Sequence, residues 1–151
     1  MKKLFLGALL TLSTILLTSC NKGKLEKSEN GKLYYLTVKG ENGDKSEREV
    51  KFAIFPNIVD SLKISEEKIK LICEETVRYA DWNVKHKPTY KLPEDAMLSY
   101  DSEENTLNSS IGGTAENAYG TPDNIYSVVT FTLNGEMKSD KDGMPTVRTI
   151  F

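Results

Sequence analysis

The chain has 151 residues, of which 38% are hydrophobic and 28% charged, and its formal charge is −2. That is chain enough for one domain with a real core, and the absence of a basic stripe excludes an extended nucleic-acid footprint. A zinc site wants several Cys or His ligands, and with two cysteines and one histidine in the chain none is expected.

The N-terminus reads as an address. Lys2 and Lys3 precede an apolar run over residues 4–17, broken only by small residues and by Thr11, Ser13 and Thr14. The run is shorter than the ~20 residues that span a bilayer comfortably. Together these features have the layout of an export signal. The tetrad Leu17-Thr18-Ser19-Cys20 that ends it resembles the lipobox of bacterial lipoproteins. The resemblance implies that residues 1–19 are a signal peptide and that Cys20 becomes the mature N-terminus. It further implies that Cys20 carries a diacylglycerol and often a third acyl chain such as palmitate. The membrane is then a partner through the lipid on Cys20, and the protein belongs to the cell envelope. Asn21, where an aspartate would signal inner-membrane retention, directs it to the outer membrane in an organism that has one. Each buried methylene contributes about 0.8 kcal/mol, so two or three chains anchor stably.

Residues 20–32 hold one apolar side chain, Leu25. They are expected to form a lipid-anchored polar tether, with a coil reach on the order of 20 Å. Residues 33–151 form the expected globular domain.

Within it, residues 32–39 and 47–55 read as strands. Asn42-Gly43 between them is a two-residue hairpin signal, because both positions of that turn need positive φ. That register sets Leu33 opposite Phe52 and Tyr35 opposite Val50. Residues 65–80 predict a helix. Ser65 is its N-cap, Glu66 and Glu67 suit the helix dipole, and Ile64 and Ile69 form a hydrophobic staple. Ile69, Ile72, Cys73, Thr76, Val77 and Ala80 repeat on one face. Glu66–Lys70 and Glu74–Arg78 have the spacing of surface ion pairs. Residues 81–93, with Pro88 and Pro93, are irregular. Residues 96–101 and 106–116 predict a hairpin around 102–105. Residues 125–133 are apolar on both sides, as in an interior strand. Asn134-Gly135 marks a turn, and residues 146–151 a short last strand. The sum is α+β, an antiparallel sheet of five or six strands with one amphipathic helix packed on one face.

Asn117, Ala118, Tyr119 and Gly120, following Gly112-Gly113, resemble a strand-and-turn segment in small C-terminal domains of short bacterial exported proteins. There a helix and a proline-containing loop precede a strand that ends in an Asn–small–aromatic–Gly turn. The resemblance spans roughly residues 65–134 and implies fold rather than activity. The residues alone read as turn formers with a core or rim aromatic.

Chemistry is sparse. Cys73 lies on the apolar helix face as a small buried hydrophobe, without a disulfide partner if Cys20 carries lipid. His86, the only imidazole, sits between Lys85 and Lys87-Pro88 on an expected surface loop. Asp140-Lys141-Asp142-Gly143 lacks the third ligand and bidentate glutamate of a calcium loop and reads as a charged turn. Gly112-Gly113 lacks the basic residue and helix of a phosphate loop. Glu66-Glu67, Glu74-Glu75 and Glu103-Glu104 read as solvated pairs. No cofactor is expected. What remains is a binding surface, with Trp82, Tyr90 and Tyr119 as its candidate aromatics. The expected function is that of a non-catalytic, lipid-anchored binding module whose partner is another envelope protein. One alternative is a small hydrolase using two carboxylates that converge on a cleft. The other is an inhibitor of a lytic enzyme, which needs Trp82 or Tyr119 to project outward.

Overall fold

A computed structural model of the chain describes residues 23–150; the expected signal peptide, Cys20 and Phe151 lie outside them. Seven strands and one α-helix follow in order, with single helical turns at Asn57–Ser61 and Lys87–Thr89: β1 (Glu26–Lys27), β2 (Tyr34–Glu41), β3 (Glu47–Ile54), α1 (Glu66–Tyr79), β4 (Asp95–Asp101), β5 (Thr106–Glu116), β6 (Pro122–Phe131) and β7 (Val147–Ile150). The strands form one sheet in sequential order. Neighbours are antiparallel except β3 and β4, which run parallel. Parallel neighbours need a crossover connection, and α1 lies within it.

The α+β class therefore holds, with seven strands rather than five or six and one parallel pair. One face of the sheet carries the core. Leu36, Val38, Val50, Phe52, Ile54, Leu98, Leu107, Ile111, Val129 and Phe131 are buried on it with Ile69, Ile72, Cys73 and Val77 of α1. The helix does not lie evenly over the sheet. It approaches β2 near one edge and β5 and β6 further across. Gly40 of β2 marks the closest approach, since a Cβ there would stand 2.1 Å from Val77 Cγ1.

Helix α1 starts where its cap is written: Ser65 Oγ accepts the Lys68 N–H at 3.4 Å. Its ion pairs differ from expectation. Arg78 meets Glu75 at 2.9 Å and Glu74 lies 3.9 Å from Lys70. Glu66 is taken by the Leu25 N–H, which donates to its Oε1 at 3.0 Å.

That bond belongs to a larger correction. The expected tether is folded from Gly23 onward. Glu26 and Lys27 pair with Tyr35 and Tyr34, and Leu25 is half-buried against the core. A tight turn follows, closed by the Ser28 N–H on the Leu33 carbonyl at 2.8 Å and by the Leu33 N–H on Ser28 Oγ at 3.0 Å. Composition identified the segment as polar, but backbone pairing holds it to the sheet without needing an apolar side-chain run.

The β2–β3 register also differs. Leu36 pairs with Phe52 and Val38 with Val50, a slip of three residues that reverses which face of β2 meets the core. Asn42-Gly43 is not a two-residue loop. The Lys45 N–H bonds the Asn42 carbonyl, Lys45 takes φ 70°, and the Asn42 N–H bonds Ser46. The turn is longer because Asn42 and Gly43 are packed against residues 87–92. The remaining turns follow expectation: Asn105 has φ 51° between β4 and β5, and Gly135 has φ 84° after β6. Asp140 is a turn residue, its Oδ1 accepting the N–H groups of Asp142 and Met144 at 2.9 Å each.

Candidate functional site

The irregular segment after α1 lies between two cavities. Asp81, Lys87, Pro88 and Tyr90 line one of about 690 Å³, closed on its other sides by α1 and the turn after β2. Val84, Lys85 and His86 line a groove of about 270 Å³ against the ends of β5 and β6. Several tertiary bonds fix the segment. The Gly43 N–H donates to the Tyr90 carbonyl at 2.8 Å, the Lys91 N–H to the Thr114 carbonyl at 2.8 Å, and the Glu116 N–H to Thr89 Oγ1 at 2.9 Å. Asn83 reaches the other way, donating through Nδ2 to the Val147 carbonyl at 3.1 Å and so capping the outer edge of β7.

The three candidate aromatics part company. Tyr119 is 93% exposed at the tip of the β5–β6 turn and Trp82 is 38% exposed, whereas Tyr90 is 2% exposed. Tyr90 is thereby removed from the binding surface. Its hydroxyl donates to the Gly112 carbonyl at 3.1 Å, and its ring fills the space above Gly113, where a Cβ would lie 2.5 Å from the hydroxyl oxygen. Burial pushes the Tyr90 hydroxyl pKa upward, with Asp81 adding to the shift. The two glycines serve this ring. Trp82 packs tilted on Tyr79 at 5.2 Å between ring centroids, with Lys87 Nζ 5.6 Å from its own centroid.

The Tyr119 turn is built around Asn117. Asn117 Oδ1 accepts the N–H groups of Tyr119 at 2.9 Å and Thr121 at 3.1 Å, and Nδ2 donates to Asp123 Oδ2 at 3.1 Å. The Asn117 N–H donates to the Thr121 carbonyl at 2.9 Å, and the Gly120 N–H to the Asn117 carbonyl at 3.0 Å. The turn is thus over-determined, and it presents a large aromatic that buries almost nothing at home. Asn117 and Ala118 of the turn line the groove, which has an apolar floor of Val84, Ala115 and Ile125, all buried, and a polar rim with His86, Glu116 and Asp123.

For chemistry, the thiol of Cys73 is sealed in the core and its pKa is pushed up by burial. His86 is exposed and opens the 3-10 turn Lys87–Thr89. Carboxylates do share the larger cavity: Glu41, Glu74 and Asp81 all line it. They face cations rather than one another. Lys45 lies 2.7 Å from Glu41, Lys87 3.6 Å from Asp81 and Lys70 3.9 Å from Glu74. Among the described residues no group of three or more His, Cys, Asp or Glu is placed to hold a metal ion. No described helix is long and apolar enough to cross a membrane.

Sequence reading finds Tyr119 and its turn, but not the groove beneath. Val84, Ala115 and Ile125 look like ordinary core residues, and only strand pairing joins them to the turn. Comparison with protein-family models, curated proteins and solved structures returns no match for this chain.

Proposed function

We propose that the protein is a lipid-anchored component of the bacterial cell envelope whose domain binds a partner protein without covalent chemistry, at the groove beneath Tyr119. The observation that carries the reading is Tyr119 itself. An aromatic of this size stands 93% exposed on a turn held by bonds to Asn117. Tyrosine is a preferred hot-spot residue because it supplies large contact area at low entropic cost. The apolar groove beside it gives a partner side chain a place to be buried. The anchor rests on the resemblance of Leu17-Thr18-Ser19-Cys20 to a lipobox.

Two measurements test this. In the native envelope the intact mass should carry acyl chains on Cys20, and Cys20→Ser should release the protein into the soluble fraction. Affinity capture should retain a partner with wild-type chain at micromolar concentration and lose it with Tyr119→Ser. Equal retention by both variants overturns the site, and failure to retain any partner overturns the function.

An inhibitor of a lytic enzyme is a specific form of the same reading, favoured by the outward projection of Tyr119. It predicts that the protein slows a wall-degrading enzyme in a turbidity assay and that Tyr119→Ser does not. A carboxylate hydrolase would draw on Glu41, Glu74 and Asp81 in the larger cavity, each beside a cation, or on Glu116 and Asp123 at the groove rim, and it predicts glycoside cleavage that is lost on replacing one of them.

A further inference from the structure

We propose that the flank formed by β1 and the first two turns of α1 rests on the lipid surface, so that the Tyr119 groove faces away from it. The inference rests on the lipid-anchor reading of Cys20. It comes from how Gly23, Leu25 and β1 are held against the domain.

Leu25 is fixed at two points. Its N–H donates to Glu66 Oε1 at 3.0 Å in the first turn of α1, and its side chain packs against the core. Glu26 and Lys27 then pair with β2. Gly23 lies beside the end of the Lys70 side chain, where a Cβ would stand 3.6 Å from Nζ. The chain therefore meets the domain beside Lys70, and only Asn21 and Lys22 separate Gly23 from Cys20. Three residues span at most about 11 Å when fully extended. A folded chain of this length has a radius of gyration of about 14 Å. The leash is shorter than the body it holds, so the body cannot turn an arbitrary side toward the bilayer.

The flank suits that position. Lys24 and Lys70 are exposed there, and Leu71 is 48% exposed on the same stretch of helix. Lysine stems lie along apolar surface while their ammonium groups reach phosphates. Glu67 and Glu74 are interleaved with them, so the contact depends on the leash and on Leu71 rather than on strongly anionic lipid.

The groove lies diagonally opposite. Strand order puts β5 and β6 four and five places from β1, about 20 Å along the sheet at ~4.8 Å per strand. It is also at the other end of the strands. β2 runs from its pairing with β1 to the turn at Gly43, which bonds Tyr90, and the Tyr119 turn is tied to the same segment through Thr89.

The test uses the acylated full chain in vesicles of brominated lipid, which quench nearby tryptophan. Trp82 is the chain's single tryptophan, so Leu71→Trp and Tyr119→Trp are each made with Trp82→Phe. Leu71→Trp should lose emission relative to vesicles of ordinary lipid, and Tyr119→Trp should lose none. A long Gly/Ser insert after Gly23 should restore the emission of Leu71→Trp. If Trp82→Phe does not fold, native Trp82 replaces Tyr119→Trp as the far reporter, and the added tryptophan at 71 is read by difference. Equal quenching at both positions, or none at 71 in a chain that floats with the vesicles, overturns the flank contact alone. A chain that neither floats nor carries acyl mass overturns the anchor reading, and the flank contact with it.

Discussion

The Asn42 side chain accepts the backbone N–H of Leu92 through Oδ1 at 2.7 Å, joining positions fifty residues apart at a buried site. Its Nδ2 donates to Ser46 Oγ at 2.9 Å, so one side chain shapes its own turn and seats the segment after α1. Asn42→Ala leaves the Leu92 N–H buried without its acceptor, at a cost of about 1–3 kcal/mol. Chemical denaturation should show that loss with an unchanged m-value. Ser46→Ala, which removes the bond from Asn42 Nδ2 and the donation of Ser46 Oγ to Asp44 Oδ1 at 2.6 Å, both on the exposed side of the turn, should cost less than half as much. Equal costs would mean that the turn, and not the Leu92 bond, is what Asn42 supports.

The paired glycines of β5 should behave very differently. A Cβ on Gly113 would fall within 2.5–2.7 Å of the Tyr90 ring and hydroxyl, whereas on Gly112 the nearest atom is the Ile125 carbonyl oxygen at 3.8 Å. Tyr90 is buried and cannot swing away. Gly113→Ala should therefore destabilise by about 1–3 kcal/mol, as overpacking does. Gly112→Ala should be nearly neutral. Thermal melts of the two variants decide this, and similar melting temperatures would refute the placement of Tyr90 over Gly113.

These two cases show what a local pattern can carry. Helix α1 follows from its 3.6-residue spacing and from Ser65, since cap and apolar face are both local, and its bounds come out to within a residue. β5 is likewise delimited by the turns beside it. The β2–β3 register is not, because the turn preference of Asn42-Gly43 yields to bonds with Leu92 and Tyr90, distant in sequence. Residues 20–32 read as a tether because composition reports apolar content, while β1 is held by main-chain pairing and by Glu66. At the candidate site the signal is likewise split. Asn117 and Gly120 announce a turn, but Tyr90 and Tyr119 are the same residue type, and only the fold sends one into the core and the other into solvent.

Acid should loosen the seam between β1 and the turn that precedes α1. Tyr34 donates its hydroxyl to Asp60 Oδ1 at 2.6 Å, and Lys27 Nζ lies 3.6 Å from Oδ2. The hydrogen bond from Tyr34, with Lys27 assisting, holds the Asp60 pKa below its ordinary value. Asp44 is lowered too, first by its bond from Lys91 and then by Ser46. A carboxylate with a lowered folded-state pKa stabilises the fold fully above its unfolded value of about 3.9, and that contribution disappears as pH falls through the folded value. Stability should therefore be flat for these groups from neutral pH to about 5 and fall below about 4. Amide exchange should report the fall first at Glu26 and Lys27. Asp60→Asn should abolish the acid response of that pair; an unchanged response would assign it to other carboxylates.

The Cys73 thiol should be silent in the native protein. It is fully buried in α1 and its pKa is pushed up by that burial, so little thiolate forms and none is accessible. A thiol reagent added to a Cys20→Ser chain at neutral pH should label nothing until denaturant is present. Labelling should then track unfolding measured by circular dichroism. Rapid native labelling would place the α1 face outside the core.

Tyr119 and Asn117 separate the contact from the turn that presents it. Tyr119 buries almost nothing at home, so Tyr119→Ser should change stability by no more than about 0.5 kcal/mol. If it anchors a partner, its loss should weaken binding by about 2 kcal/mol or more, roughly thirtyfold. Asn117→Ala keeps the ring but removes the acceptor for two N–H groups and the donor to Asp123. It should slow association, because the turn must be ordered on binding. Tyr119→Phe should keep most of the affinity if ring area matters and lose it if the hydroxyl is bonded in the complex. Kinetic measurement on the partner from affinity capture distinguishes these cases: Tyr119→Ser acts on dissociation and Asn117→Ala on association. If both act equally on dissociation, the turn is part of the contact and not its support.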